Sequence, residues 1–121
     1  MNKEFVPYEQ ALQLKKLGFD EPCLGYYGCH QAFFWITKTE GYYDGGLDSV
    51  VPAPFYRQAF RWFREKYGLF VQPNRTVDIE GVWYYFLIDT KRMDVCGGSF
   101  SYEEAELECL KKCIKNALMK M

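Results

Sequence analysis

The sequence predicts an α+β domain: a mostly antiparallel sheet of four to five strands with three helices, in the order α-β-β-α-β-β-(β)-α. Three observations predict it. Amphipathic stretches with recognisable caps open, interrupt and close the chain. The segments between them read as hairpin strands joined by short turns, not as strands joined by crossover helices. A length of 121 residues, 49% of them apolar, suits one domain over residues 1–121.

The first helix is expected from Pro7 to Leu17. Pro7 suits the first helical position, where its missing N–H costs nothing. Tyr8, Ala11, Leu12 and Leu14 form an apolar face, Gly18 caps in the left-handed conformation, and Phe19 folds back on the last turn as in a Schellman motif. Cys23 to Tyr27 and Ala32 to Thr37 read as strands joined at Gly28–Gln31, the second rich in aromatic and β-branched residues. Residues 38–51 read as a long loop carrying Tyr42, Tyr43, Asp44 and Asp48, and loops of that size are often functional.

Pro52 and Pro54 introduce the second helix and Gly68 ends it. Tyr56, Ala59, Phe60, Phe63 and Tyr67 give it a stripe that must pack on a core. Arg57, Arg61 and Arg64 recur on another face, with Phe55 and Trp62 on a flank. Leu69 to Gln72 reads as a short strand stopped by Pro73-Asn74. Thr76 to Glu80 alternates, with Val77 and Ile79 on one side. Val82 to Ile88 is apolar on both faces, which predicts a central strand, and Met93 to Phe100 an edge strand. The last helix opens with Ser101 and Glu104, a capping box, and its expected buried face is Leu107, Leu110, Ile114, Ala117, Leu118 and Met121.

Charge excludes strong global attraction to nucleic acid or an anionic membrane, because the formal net charge is −1. Residues 1–50 hold 4 basic and 7 acidic side chains, residues 51–100 hold 7 and 5, and the last 21 hold 4 of each, so only the middle is mildly basic. Met1-Asn2-Lys3-Glu4 leads into amphipathic sequence without an apolar signal region, and the cysteines number five. Reduced thiols and a cytoplasmic location are therefore expected, with no membrane partner.

Three segments carry a resemblance: Phe5-Val6-Pro7-Tyr8-Glu9-Gln10-Ala11-Leu12 with Leu17-Gly18-Phe19; Gln58-Ala59-Phe60-Arg61-Trp62-Phe63-Arg64-Glu65-Lys66-Tyr67-Gly68-Leu69; and Ser101-Tyr102-Glu103-Glu104-Ala105-Glu106-Leu107-Glu108-Cys109-Leu110-Lys111-Lys112. In their order and over most of its length, the chain resembles a group of small uncharacterised proteins encoded by phages, prophages and mobile elements of Bacteroides-type gut bacteria. The resemblance implies a phage-borne or bacterial cytosolic protein with an accessory role. It implies no catalytic residue, since none is established for the group.

The aromatic share, 19%, is the sharpest functional clue. A domain of this size struggles to bury 10 Tyr, 10 Phe and 3 Trp, so some rings should line a surface. Tyr26, Tyr27, Tyr42, Tyr43, Trp83 and Tyr85 are the candidates, and Trp83 and Tyr85 share a face if their strand is central. Tyr42, Tyr43, Trp83 and Tyr85 are the expected partner-binding residues, for a protein partner or a second copy as a homodimer. The competing reading is that the chain's own first and last helices cover that face. Arg57, Arg61 and Arg64, with Trp62, are the alternative: contacts to phosphates or to an acidic partner, with Trp62 and Phe55 stacking on bases. A solvated helix face explains the same arginines.

Other constellations are weaker. Cys109 and Cys113 stand four apart, and with Cys23, Cys29 and His30 would make a zinc site, but no Cys-x-x-Cys pair exists and cysteine also serves as a small buried hydrophobe. A small hydrolase or metal-dependent enzyme built round His30 and the Asp44–Asp48 loop is the third reading. The residues present no enzyme signature, and no metal or other cofactor is expected.

Overall fold

A computed structural model describes residues 4–28, 31–35, 50–89, 93–99 and 101–119. The class is α+β, as the sequence predicts, with three helices among the described residues. The strands form two three-stranded antiparallel sheets where one sheet of four to five was expected. The chain divides into two compact units, Met1–Ala59 and Phe60–Met121, the division falling inside the second helix.

In the first unit, helix α1 spans Tyr8–Lys16 and strands β1 (Gly25–Tyr27), β2 (Phe33–Trp35) and β3 (Val51–Ala53) pair in the order β2-β1-β3. Pro7 is the residue before the helix rather than its first member; its carbonyl accepts from the Ala11 N–H at 2.8 Å. The helix ends as expected: Gly18 is left-handed at φ 102°, Phe19 N–H donates to Leu14 at 2.9 Å and Gly18 N–H to Lys15 at 3.1 Å, the two bonds of a Schellman motif. Strand β3 lies where the sequence suggested only a loop and a proline-marked helix start. Pro52 is tolerated there because β3 is at the sheet edge, where a missing N–H breaks no ladder.

Rings pack this unit. Phe5 stacks on Phe55 at 4.5 Å and meets Phe33 at 4.8 Å, and Tyr8 and Phe33 stand edge-on to Tyr27 at 5.5 and 5.6 Å. Phe33 crosses the strand at Gly25, where a Cβ would sit 2.6 Å from its ring. Tyr27 is fully buried and its hydroxyl donates to the Val6 carbonyl at 2.6 Å.

Helix α2 spans Tyr56–Tyr67 and is ended by left-handed Gly68. The second unit continues as the meander β4 (Phe70–Asp78), β5 (Gly81–Asp89) and β6 (Met93–Ser99), with β5 in the centre, and closes with α3 (Tyr102–Met119). Strand β4 runs straight through Pro73-Asn74, the expected stop; Pro73 pairs with Phe86 on an edge strand. The expected strand Thr76 to Glu80 ends at Asp78, so Ile79 sits in the exposed hairpin turn rather than beside Val77 in the strand, and Val77 is exposed as well.

Helix α3 covers the side of the sheet that carries Tyr84, Phe86 and Ile88. Tyr102 meets Tyr84 at 5.7 Å and Phe86 at 5.6 Å, and Phe60 approaches Phe86 at 6.2 Å. The buried face of α3 is Ala105, Cys109, Leu110, Cys113, Ile114 and Ala117, whereas Leu107 is half-buried, Leu118 is exposed and Met121 lies outside the described residues. Ala105, Cys109, Cys113 and Ala117 are small and sit on the inner face with Leu110 and Ile114, whereas Leu118 is left to solvent.

Candidate functional site

Alternation along β5 sends Tyr84, Phe86 and Ile88 toward α3, and therefore sends Trp83, Tyr85 and Leu87 to the opposite face. Phe86 and Ile88 are buried, whereas Trp83, Tyr85 and Leu87 are only half-buried. The neighbouring strands extend the outward face. Antiparallel register sets Gln72 and Val95 either side of Leu87, and Phe70 beside Asp89. Phe70 is 54% exposed and Val95 68%, unusual for apolar residues in a sheet.

Trp83 is held in place on this face. Its indole lies over Gly98 of β6, and a Cβ there would stand 2.8 Å from the ring. Ser99, the next residue, points the other way, its hydroxyl donating to the Glu104 carboxylate of α3 at 2.9 Å. A glycine in β6 thus lets the indole lie flat across the strand. The expected pair Trp83 and Tyr85 is brought together on one face, and α3 leaves that face open. Tyr42 and Tyr43 lie outside the described residues. Of the other candidates, Tyr27 belongs to the core, while Tyr26 stacks on the exposed Phe34 at 5.5 Å in the first unit. Leu87 was missed because its strand is apolar on both sides, and Phe70 and Val95 because the sequence of a short strand or an edge strand does not say which side faces outward.

The arginines of α2 are all exposed. The Arg57 guanidinium lies 5.3 Å from the Phe55 ring centroid, and Arg61 approaches Glu65 at 3.8 Å with both side chains more than half exposed, a contact worth little in water. Trp62 does not join them as a stacking residue. It is 6% exposed, edge-on to Phe63 at 5.1 Å and Tyr67 at 5.6 Å, with the Lys66 ammonium 5.2 Å from its centroid. An indole that large is worth more in a packed cluster than in water.

The thiols of Cys23, Cys109 and Cys113 are buried and form no disulfide with one another, and burial followed by the Glu21 carboxylate pushes the Cys23 thiol up to about 12. Cys29, His30, Asp44 and Asp48 lie outside the described residues. Among the described residues no three His, Cys, Asp or Glu side chains gather as metal ligands, and no helix is long and apolar enough to cross a membrane. On α3, burial and then Glu103 push the Glu106 carboxyl up to about 7. The Tyr102 phenol is raised by burial, then by Glu106, Cys109 and Glu103.

No family model, no curated protein and no solved structure matches the chain.

Proposed function

We propose that the chain is a non-enzymatic accessory protein that binds a partner protein or a second copy of itself through the outward face of the β4-β5-β6 sheet. The observation that carries this reading is the placement of Trp83, Tyr85 and Leu87 on the side that α3 leaves open. An aromatic anchor seated against its own sheet, as Trp83 is over Gly98, loses little freedom on binding, and Trp and Tyr are the side chains that dominate interface energetics. The segment resemblance to phage and mobile-element proteins supports a phage- or mobile-element-borne origin and a cytoplasmic setting.

The test is affinity capture from a bacterial cytosol, read by intact mass, comparing wild type with Leu87→Asp and Val95→Lys. Loss of the captured protein or of the self-complex, with an unchanged circular dichroism spectrum, is the expected result. Capture that survives both changes refutes the reading.

The exposure of Arg57, Arg61 and Arg64 supports a second reading, a nucleic-acid-associated accessory protein. It predicts binding to single-stranded DNA that weakens steeply with salt and is lost on Arg61→Glu/Arg64→Glu.

A further inference from the structure

Where the start of α3 meets the β4 edge of its sheet, the second unit holds a cavity of about 390 Å³ lined by Pro73, Asn74, Arg75, Tyr84 and Tyr102. Register explains the lining. Arg75 pairs with Tyr84 and Pro73 with Phe86, so both β4 side chains stand on the side of the sheet that α3 covers. Tyr102, the first residue of α3, meets Tyr84 at 5.7 Å with the rings at 88°. Two rings at a right angle form a corner, in which a flat apolar group lies on one face and meets the other ring edge-on.

The charged and phenolic groups around this corner supply donors. A guanidinium has no acceptor, and a neutral phenol donates. Arg75 and Ser99 flank Tyr84 from β4 and β6. Glu104 is engaged on the β6 side, where Ser99 donates to it at 2.9 Å, and among the described residues no carboxylate pairs with Arg75. A planar donor fork beside an aromatic corner matches a carboxylate carried on a flat apolar body. The field also limits the charge. After burial, Glu106 and Glu103 both act on the Tyr102 phenol, so a second negative charge on the ligand would be repelled.

We infer that this cavity binds a small aromatic monocarboxylate, with its carboxylate on the Arg75 guanidinium and its ring in the corner of Tyr84 and Tyr102. The site is independent of the outward face, because Tyr84 and Tyr85 point to opposite sides of β5. Its volume falls within the range of small-ligand sites, roughly 300–1,000 Å³. Arg75 and Tyr102 are exposed at its mouth, so the ligand is only partly enclosed. A ligand of about 13 non-hydrogen atoms then dissociates in roughly the millimolar range.

Titration of the nitrogen-labelled full chain with 2-naphthoate, followed in nitrogen–proton spectra, tests this. Saturable shifts of the Arg75, Tyr84 and Tyr102 amides are expected. 2-Naphthylmethanol keeps the rings without the charge and should bind at least about tenfold more weakly. Inorganic phosphate at matched ionic strength should not displace naphthoate. Arg75→Gln, at an exposed position, should weaken naphthoate at least about tenfold with the remaining spectrum unchanged, and Arg75→Lys should restore part of the loss. Val95→Lys, on the other side of the sheet, should leave binding as it is. The absence of saturable shifts, equal binding of the alcohol, displacement by phosphate, or indifference to Arg75→Gln each overturns the inference. None of these outcomes bears on the capture test, which reads Leu87 and Val95.

Discussion

Trp83 and Gly98 fit together as ring and gap: a Cβ at position 98 would stand 2.8 Å from Cζ2 and 3.0 Å from Nε1 of the indole. The contact is between two strands of one sheet, so the indole has no easy retreat except off the face. Gly98→Ala is therefore expected to shift the Trp83 indole N–H resonance and to cost about 1–3 kcal/mol of stability, as overpacking does. Urea unfolding and the indole region of a nitrogen–proton spectrum check both effects. An unmoved resonance would place the ring elsewhere.

The hydroxyl of Tyr27 donates to the Val6 carbonyl at 2.6 Å inside the first unit. Tyr27→Phe keeps the ring and leaves the carbonyl buried without that donor. A loss of about 1–2 kcal/mol is expected, measured as a lower urea midpoint at unchanged slope.

Start of α3 depends on a serine that precedes the expected cap. Ser101 Oγ accepts the Glu104 N–H at 3.3 Å, as a capping box requires. The return bond is rerouted: Ser101 N–H donates to Ser99 Oγ at 3.1 Å, and Ser99 in turn donates to the Glu104 carboxylate. Ser99→Ala removes both links and is expected to cost about 0.5–2 kcal/mol, with faster amide exchange in the first turn of α3.

Glu106 gives the second unit a pH dependence. Its carboxyl is raised from 4.5 to about 7, first by burial and then by Glu103. The folded state holds the proton more tightly than the unfolded chain does, so the stabilisation is complete below about pH 4.5 and is lost as pH rises through about 7. Solvent screens this half-buried group, so the expected loss is about 1 kcal/mol rather than the several that full burial would give. Thermal melts across that window should show the decline in wild type and a flatter profile in Glu106→Gln.

Buried thiols should be slow to react. With Cys23 pushed to about 12 and Cys109 and Cys113 inaccessible, iodoacetamide at pH 8 is expected to spare all three in the folded protein and to label them in urea. Peptide mass mapping reads the difference.

Local signals were legible where one residue type has one use. Gly18 with Phe19 announced the end of α1, and Ser101 with Glu104 the start of α3. Val82 to Ile88, apolar on both sides, proved to be the central strand of its sheet. What failed depended on neighbours. Proline reads as a strand breaker, yet Pro52 and Pro73 both sit on edge strands, a position set only by the assembled sheet. Leu107 and Leu118 outranked Cys109 and Cys113 on hydrophobicity, but the inner side of α3 takes the cysteines. Of the site, the shared face of Trp83 and Tyr85 followed from alternation alone. That α3 lies on the other side did not, because a strand apolar on both faces does not say which one a helix will choose.

Photo-crosslinking from position 85 tests the binding face most directly. With p-benzoylphenylalanine in place of Tyr85, a specific crosslinked product, to a second copy or to a partner protein, is expected in cells, while the same probe at Arg75 yields none. Crosslinks from position 75 alone, or an uncrosslinked chain at both positions, would contradict the assignment of this face as the working surface.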